Sequence, residues 1–309
     1  MRRVFLGKVF LLILLPFLLS SEVLLEKKSE ISEKNILMPI ALQVYRGKLF
    51  VLDEGVIKVL KDEKYLYNIG NIGQGPGEFT QLIDFKVKDD VVYCLGGGGG
   101  KLEKFNLDGK YSDGFKIKIA SPFQLEIGDK IYIHHIGVVE YLINAYKWGK
   151  GEPERSFLKA KEITNPYDFK QLYQNFGLIC WSERERKLYF GYVLDNKLLK
   201  IDIKKGDIEE IVLPCKPPSK IEIEKKPGMV LLKNALVYDI KAYNGKVYVL
   251  INEKNGKSVI FEITKGEVVK TYRFNVELIK FAYNEEIDEF YGIEKEEFKI
   301  LKFGRVKKK

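Results

Sequence analysis

Short alternations of apolar and polar residues recur along the chain between residues 36 and 303, bounded by Gly, Asp, Asn and Lys. The apolar positions follow a period of two residues, which is typical of half-buried β-strands, and the period of an amphipathic helix is weak throughout. The pattern therefore predicts an all-β protein built from many short antiparallel strands.

One unit of this pattern repeats: a short polar turn, then a strand with an aromatic residue at its second or third position. The aromatic residues of the six copies are Phe50, Tyr93, Tyr132, Tyr189, Tyr248 and Phe290. An apolar strand precedes each copy, a third strand follows it, and the first five copies have a fourth. Recurring units of four antiparallel strands and about 40 residues are typical of propeller blades. The repeat predicts a six-bladed β-propeller.

The sixth unit lacks a fourth strand, because the chain ends soon after it. The apolar piece NILMPI, residues 35–40, lies before the first unit and has no other assigned place. An N-terminal strand that completes the last blade would close the ring and remove an exposed sheet edge. We therefore predict closure by residues 35–40, with residues 22–34 as a linker and residues 35–303 as the propeller.

Residues 1–21 have a different character, with basic residues at the start and an apolar run over residues 9–19. That length suits the core of a secretory signal peptide and is short for a membrane span. Ser20 and Ser21 supply small residues for cleavage. We expect export to the periplasm or the extracellular space, with an uncleaved N-terminal membrane anchor as the alternative.

The formal net charge is +9, which raises the question of a nucleic-acid partner. The excess lies at the two ends: in the first residues and in the basic tail, residues 304–309. A nucleic-acid-binding domain needs a basic face on the folded body, whereas here the body mixes Lys and Glu. We therefore expect no nucleic-acid partner and a solvated tail.

Three cysteines, Cys94, Cys180 and Cys215, allow at most one internal disulfide. Buried thiols at strand positions are the simpler interpretation. An exported protein could also form a bridge, which sequence spacing alone does not test.

The glycine-rich stretch NIGQGPGEF, residues 71–79, invites comparison with a phosphate-binding loop. A dinucleotide fingerprint places a third glycine where Glu78 stands, and a helix should follow, which the pattern does not predict. Pro76 has no N–H to offer a phosphate, and a carboxylate would repel one. We predict a compact turn between two blades, with Phe79 filling the space between them. The residues of this predicted junction are Gly73, Gly75, Pro76, Gly77, Glu78 and Phe79.

The element GQGPGEF followed by QLIDFKVKDDVVYCLG resembles the blade junction of NHL-repeat propellers. Blades of that family join through a G-x-G-x-G-E/Q-F loop, followed by an apolar strand and a second strand that carries an aromatic residue. The resemblance extends over residues 36–303 as architecture and over residues 70–109 as a motif. The chain is thus similar to six-bladed propellers of the NHL-repeat and TolB-like type.

This resemblance implies that the start of the first strand and the end of the second strand of each blade lie on one face. Polar residues recur at these positions, so we expect them around one mouth of the central channel. The candidate ligand-binding residues there are Asp53, Asp84, Gln124, His135 and Asp239. Crowded carboxylates need partners, which Lys241 or Lys280 could supply. A solvated polar funnel is the competing interpretation.

We expect no metal and no cofactor. Were a metal bound, the oxygen donors of Asp84, Gln124 and Asp239 would hold it, and calcium would suit such donors. Two adjacent histidines, His134 and His135, point to opposite faces of a strand, so a zinc site built from both is not expected. A hydrogen-bonded histidine at the rim is the simpler interpretation of His135.

Two insertions, residues 164–176 and 215–229, connect the outermost strand of one blade to the innermost strand of the next, as GQGPGEF does. These loops therefore share one face of the ring, while the opposite face carries mostly tight turns. Long loops carry binding more often than tight turns do, and aromatic residues such as Tyr167 and Tyr173 would make adhesive contacts.

Together these features predict an exported, monomeric binding module that recognises a protein or glycan partner through its loop-rich face. No nucleophile–base pair stands out, so no catalytic residue is assigned. A metal-dependent hydrolase or lyase, similar to the lactonase-like six-bladed propellers, is the alternative.

Overall fold

The computed structural model describes residues 21–97, 100–118, 121–226 and 229–306. The predicted signal segment up to residue 20 and the last three residues of the basic tail lie outside the described residues. Within them the chain forms strands and a single short helix.

The first half of the chain contains an N-terminal strand, three blades and a small two-stranded junction. The strands are β1 (Ser21–Ile31); blade 1 with β2 (Pro39–Tyr45), β3 (Lys48–Asp53), β4 (Val56–Lys61) and β5 (Lys64–Ile69); the junction with β6 (Asn71–Ile72) and β7 (Glu78–Phe79); blade 2 with β8 (Leu82–Lys88), β9 (Val91–Gly96), β10 (Lys101–Asn106) and β11 (Tyr111–Lys116); and blade 3 with β12 (Pro122–Ile127), β13 (Ile131–His135), β14 (Tyr141–Tyr146) and β15 (Arg155–Lys159).

The second half contains a helix, three more blades and a hairpin between two of them. The elements are α1 (Phe169–Tyr173); blade 4 with β16 (Gly177–Ser182), β17 (Lys187–Tyr192), β18 (Lys197–Ile201) and β19 (Ile208–Val212); the hairpin β20 (Ile223–Lys226) and β21 (Met229–Leu232); blade 5 with β22 (Val237–Tyr243), β23 (Lys246–Glu253), β24 (Lys257–Thr264) and β25 (Glu267–Arg273); and blade 6 with β26 (Leu278–Asn284), β27 (Glu289–Glu294) and β28 (Ile300–Arg305).

The innermost strands of the six blades form a closed ring. Each of β2, β8, β12, β16 and β22 contacts the innermost strand of the next blade, and β26 returns to contact β2. Within each blade the strands pair antiparallel in chain order. The predicted six-bladed β-propeller is confirmed.

An N-terminal strand completes blade 6, as predicted, but that strand is β1, and the assignment of closure to residues 35–40 was wrong. β1 pairs antiparallel with β28 from Leu25 to Ile31, and residues 21–24 also pair parallel with β25 of blade 5. Blades 5 and 6 therefore share one eight-stranded sheet. Most of the segment predicted as a linker, residues 22–34, is part of this strand.

The error has a physical reason. An outermost strand is buried on one face only, and β1 supplies just Leu25 and Ile31 to the core. The full strand, SEVLLEKKSEI, is mostly polar and so gives a weak apolar alternation. The more apolar piece at residues 35–40 leads into β2 instead, and two of its side chains, Leu37 and Met38, face solvent.

The core lies in layers between successive blades, because each blade is apolar on both faces and buries them against its neighbours. Five of the six repeated aromatic residues are fully buried: Phe50, Tyr132, Tyr189, Tyr248 and Phe290. The sixth, Tyr93, is half-buried and lies edge-on to Trp148, with 6.1 Å between ring centroids. The repeated aromatic residue thus marks the inter-blade core.

All three cysteines are free thiols, and Cys94 and Cys180 are buried. Cys180 and Cys215 belong to the same apolar cluster between blades 4 and 5 without forming a bridge. In the described part of the chain, no helix has the length and apolar character needed to cross a membrane.

Candidate functional site

The glycine-rich junction uses its own carboxylate to occupy the backbone donors of the loop. The N–H groups of Gln74 and Gly75 both donate to Glu78 Oε2, at 3.1 and 2.9 Å. A Cβ atom at Gly73 would lie 2.1 Å from that same oxygen, so any side chain there would displace the Glu78 carboxylate from these donors. The donors that a phosphate would need are already in use.

Neighbouring strands anchor the junction further. Lys101 donates to the carbonyls of Gly75 and Glu78, at 2.6 and 2.8 Å, and forms an ion pair with buried Glu103. Phe79 is 2% exposed and packs in a cluster that contains side chains of blades 1 and 2. The stretch is therefore a packed joint between blades.

Three of the predicted channel-mouth residues use their polar atoms to link adjacent blades. Asp84 Oδ2 accepts from the N–H of Leu125, at 2.9 Å. Gln124 accepts from the N–H of Ile179 and donates to its carbonyl, at 2.8 and 3.0 Å. These bonds join blade 2 to blade 3 and blade 3 to blade 4, and they leave fewer lone pairs for an external ligand.

Asp239 makes the equivalent link between blades 5 and 6, since its Oδ2 accepts from the N–H of Phe281, at 3.2 Å. Lys280 lies 3.4 Å from its other oxygen, and Lys241 lies 3.7 Å from Oδ2, so the lysines expected as partners are both close. Asp239 is fully buried. A buried carboxylate with several partners is accounted for structurally.

Asp53 and His135 occupy the same register, each opposite the first residue of the innermost strand of its blade. Both are fully buried, so neither lines a solvated rim. Asp53 accepts from the N–H groups of Leu37 and Met38 and pairs with Lys58, which fixes the chain where it enters blade 1. His135 Nε2 lies 3.4 Å from the hydroxyl of Tyr146.

The neighbouring His134 is also fully buried, between the rings of Phe123 and Phe190. Burial, reinforced by the adjacent His135, lowers the pKa of His134 to about 3. It is therefore a neutral core residue at physiological pH. Among residues 21–306, outside the short undescribed gaps, no group of three or more His, Cys, Asp or Glu could hold a metal ion.

The face that carries the inter-blade loops exposes a set of large apolar side chains. They are Leu37 (61%), Met38 (57%), Ile72 (73%), Val138 (67%) and Tyr167 (86%). Leu37 and Ile72 also line an open groove of about 720 Å³ beside blade 1, together with Lys34, Asn35 and Asn68. Tyr173, on α1, is half-buried and packs on Phe176, with ring centroids 5.0 Å apart.

A second pocket, of about 250 Å³, opens at the other end of the channel, where the innermost strands end in tight turns. Its wall includes Lys86, Lys88, Glu126, Trp181, Lys241 and Tyr243. The sequence predicted candidate residues at the loop-rich mouth of the channel and none at this end. The available signal was charged residues at alternate positions of innermost strands, as in FKVK and DIKAY.

Ion pairs organise the charges of this second pocket. Lys86 lies 2.6 Å from Glu126, and Lys88 lies 2.7 Å from Glu183. Burial disfavours the charge of Lys86, but the carboxylates of Glu126 and Asp84 outweigh burial, so the pKa of Lys86 is raised. Burial also raises the pKa of Glu126, against the opposing effect of Lys86.

Residues 25–141 match the model of a protein family, DUF5128, described as a 6-bladed beta-propeller. The match covers blades 1 and 2, most of β1 and the first part of blade 3. A search of curated proteins found no significant match.

Several solved structures share the fold. Virginiamycin B lyase from Staphylococcus aureus is 11% identical, with a TM-score of 0.57, over 91% of this chain and 99% of the lyase. A Bacteroides fragilis protein named as exported is 13% identical, with a TM-score of 0.54, over 92% and 96% of the two chains. A Bacteroides thetaiotaomicron protein of unknown function is 11% identical, with a TM-score of 0.57, over 93% and 75%. At these identities the likeness concerns the fold alone. The closed ring of blades and these comparisons together show that the chain is a six-bladed β-propeller.

Proposed function

We propose that the protein is an exported binding module, without chemistry of its own, that captures a protein or glycan partner on its loop-rich face. One observation carries the proposal: exposed apolar side chains from separate loops gather on that face. Single exposed apolar residues are normal on any protein, so their shared location is the informative part.

The distribution over the molecule supports this choice of face. The described large apolar side chains exposed elsewhere lie on outer strands or next to them, apart from Ile40, at the start of the innermost strand β2, and Ile287, in a tight turn. Solvent-facing residues of outer strands are commonly scattered in this way. The loop-rich face instead combines Leu37, Met38 and Ile72 with the polar groups of Asn35 and Asn68. Apolar groups surrounded by polar ones are typical of recognition surfaces.

The insertion that carries Tyr167 is held in place by local hydrogen bonds. Gln171 Oε1 accepts from the N–H groups of Thr164 and Asn165, at 2.9 and 3.2 Å. Asn175 Oδ1 accepts from the N–H of Lys161, at 2.8 Å. A loop that is already ordered loses little conformational entropy when it binds, so Tyr167 is a suitable anchor.

Export is the second part of the proposal. The basic start and apolar run of residues 1–21 support it, as does the fold shared with an exported Bacteroides fragilis protein. We infer a periplasmic or extracellular location, with the N-terminal segment as a membrane tether if it is retained. The mass of the mature N-terminus, measured on protein from the native host, decides between cleavage and retention.

The binding surface can be tested with matched substitutions. Exported proteins and a glycan array are screened with the purified propeller, and the affinity of any ligand found is measured for Ile72→Asp and Tyr167→Asp. We expect a loss of tenfold or more, because each change places a charge in a contact surface. Ile208→Asp, at an exposed outer-strand position, is the control and should bind normally. Equal affinity for all three variants would contradict the proposal.

A further inference from the structure

The 250 Å³ pocket at the tight-turn end of the channel has a different character from the loop-rich face. It is smaller than the pockets of about 300–1,000 Å³ that hold drug-sized ligands, so its size suits a small molecule. Its wall carries charged groups from the innermost strands of blades 2, 3 and 5. The pocket lies on the opposite face from the proposed partner surface and is independent of that function.

Among the described residues of this wall, Lys241 is the lysine whose ammonium has no carboxylate oxygen within hydrogen-bond distance. Lys86 and Lys88 each have a carboxylate oxygen within 2.7 Å. The nearest ion-pair oxygen to Lys241 is Asp239 Oδ2, at 3.7 Å, beyond hydrogen-bond range, and that oxygen already accepts from the N–H of Phe281. The Lys241 side chain is nevertheless only 13% exposed.

A buried ammonium without a hydrogen-bond acceptor is unfavourable, and such a lysine can become neutral instead. Burial lowers the pKa of Lys241, and the neighbouring cations Lys86 and Lys280 lower it further. Asp239 and Asp84 oppose this effect without reversing it. Desolvation next to other cations is the environment in which a lysine amine becomes a nucleophile.

Aromatic groups supply the rest of the wall. The Trp181 ring stacks on Tyr132, with centroids 5.4 Å apart, and its Nε1–H donates to Glu183, at 2.7 Å. Tyr243 lines the same pocket, and its hydroxyl accepts from the N–H of Tyr283. These contacts fix both rings, so Lys241 faces a pre-formed cavity with partly apolar walls.

We propose that this pocket binds a small aldehyde or ketone and that the Lys241 amine forms an imine with its carbonyl carbon. The nitrogen lone pair adds to the carbonyl carbon, giving a carbinolamine. A C=N bond then replaces the C–O bond, and the oxygen leaves as water with the two hydrogens of the amine. The step needs no oxidant or reductant and is reversible by hydrolysis.

Reductive trapping on the intact, full-length protein tests this directly. The protein is incubated at pH 7.5 with propanal and cyanoborohydride, and modified lysines are located by peptide mass mapping over time. We expect Lys241 to be modified at least tenfold faster than the average exposed lysine, despite its low exposure. Its rate should saturate with propanal concentration and should reach half its maximum at a lower pH than that of exposed lysines.

Two variants complete the design. Lys241→Met should abolish the fast modification, while Lys254→Met, at an exposed position outside the pocket, should retain it. If Lys241→Met does not fold, the mapping of the unaltered protein remains decisive. Modification that follows exposure and spares Lys241 would overturn the proposal. Fast modification of Lys241 without saturation would also overturn it, because it would show a reactive amine without a binding site.

Discussion

The two faces of the ring present their side chains to solvent in opposite ways. The loop-rich face exposes Leu37, Ile72 and Tyr167. Its polar channel residues, such as Asp84 and Asp239, form hydrogen bonds to the backbone of the next blade. The tight-turn face has short connections, yet its end of the channel holds an open, charged pocket. The long loops and the charged channel pocket therefore lie on opposite faces of the ring.

The two faces differ because the two ends of each innermost strand have different neighbours. At the loop-rich end, the first residues of the innermost strands meet the neighbouring blade, so Asp84, Gln124 and Asp239 bond to backbone groups there. Toward the other end, the side chains of Lys86, Glu126 and Lys241 line the pocket, and Lys86 forms an ion pair with Glu126. The same strands therefore supply structural links at one end and a candidate binding pocket at the other.

The largest expected effect concerns the strand that closes the ring and so supports both faces. Leu25→Ala should lower the free energy of unfolding by about 2–5 kcal/mol, because Leu25 is buried between blades 5 and 6. Leu24→Ala, at a side chain 58% exposed, is the matched control and should change stability by less than about 0.5 kcal/mol. Denaturant unfolding measures both, and equal effects would argue against β1 as the closing strand.

A smaller change in stability is expected for Gln124, and it tests whether this residue has a structural or a ligand-binding role. Gln124→Ala removes two hydrogen bonds and leaves the N–H and carbonyl of Ile179 unsatisfied, so stability should fall by about 1–3 kcal/mol. Gln174→Ala, at an exposed position, is the control. A Gln124→Ala variant with unchanged stability would restore Gln124 as a candidate ligand-binding residue.

The pH dependence of stability should reveal the buried His134. Its folded-state pKa of about 3 is below the ordinary value of 6.5, so the unfolded chain takes up a proton that the folded one does not. This proton uptake has no effect on stability above pH 6.5. Below it, the free energy of unfolding falls by up to about 1.4 kcal/mol per pH unit as pH decreases from 6.5 toward 3.

Carboxylates also titrate in acid, so the comparison with His134→Phe is the useful quantity. His135 and the carboxylates are common to both proteins and largely cancel. Denaturant midpoints at pH 7.5, 6.0 and 5.0 should show the unaltered protein losing more stability than the variant. A pH-independent difference between the two would mean that His134 is solvated.

The smallest expected effect concerns metal. Asp84, Gln124 and Asp239 already bond to backbone N–H groups, so we expect a chelator to shift the melting temperature by less than about 1 °C. Calcium added back should have no effect. A stabilising, saturable response to calcium would instead favour the metal-dependent hydrolase or lyase, and elemental analysis of the purified protein would then give the stoichiometry.

The repeated strands and the junction at residues 71–79 were predictable because both are local. A period of two, an aromatic residue in each unit and a turn rich in glycine follow from short-range sterics. Closure by an N-terminal strand was predictable too, but the residues of that strand were not. β1 buries only Leu25 and Ile31, and its place depends on the edges of β25 and β28, more than 200 residues away.

The sequence by itself determined the number of blades, the face on which the long loops gather and the exclusion of a phosphate cradle at Glu78. The tertiary structure alone decided which polar residues bond to the neighbouring blade and which face a pocket. Asp84 and Lys241 both lie on innermost strands, yet one bonds to the backbone of the next blade and the other faces a pocket. That distinction depends on how each blade is positioned against its neighbour, and no pattern within a single strand encodes it.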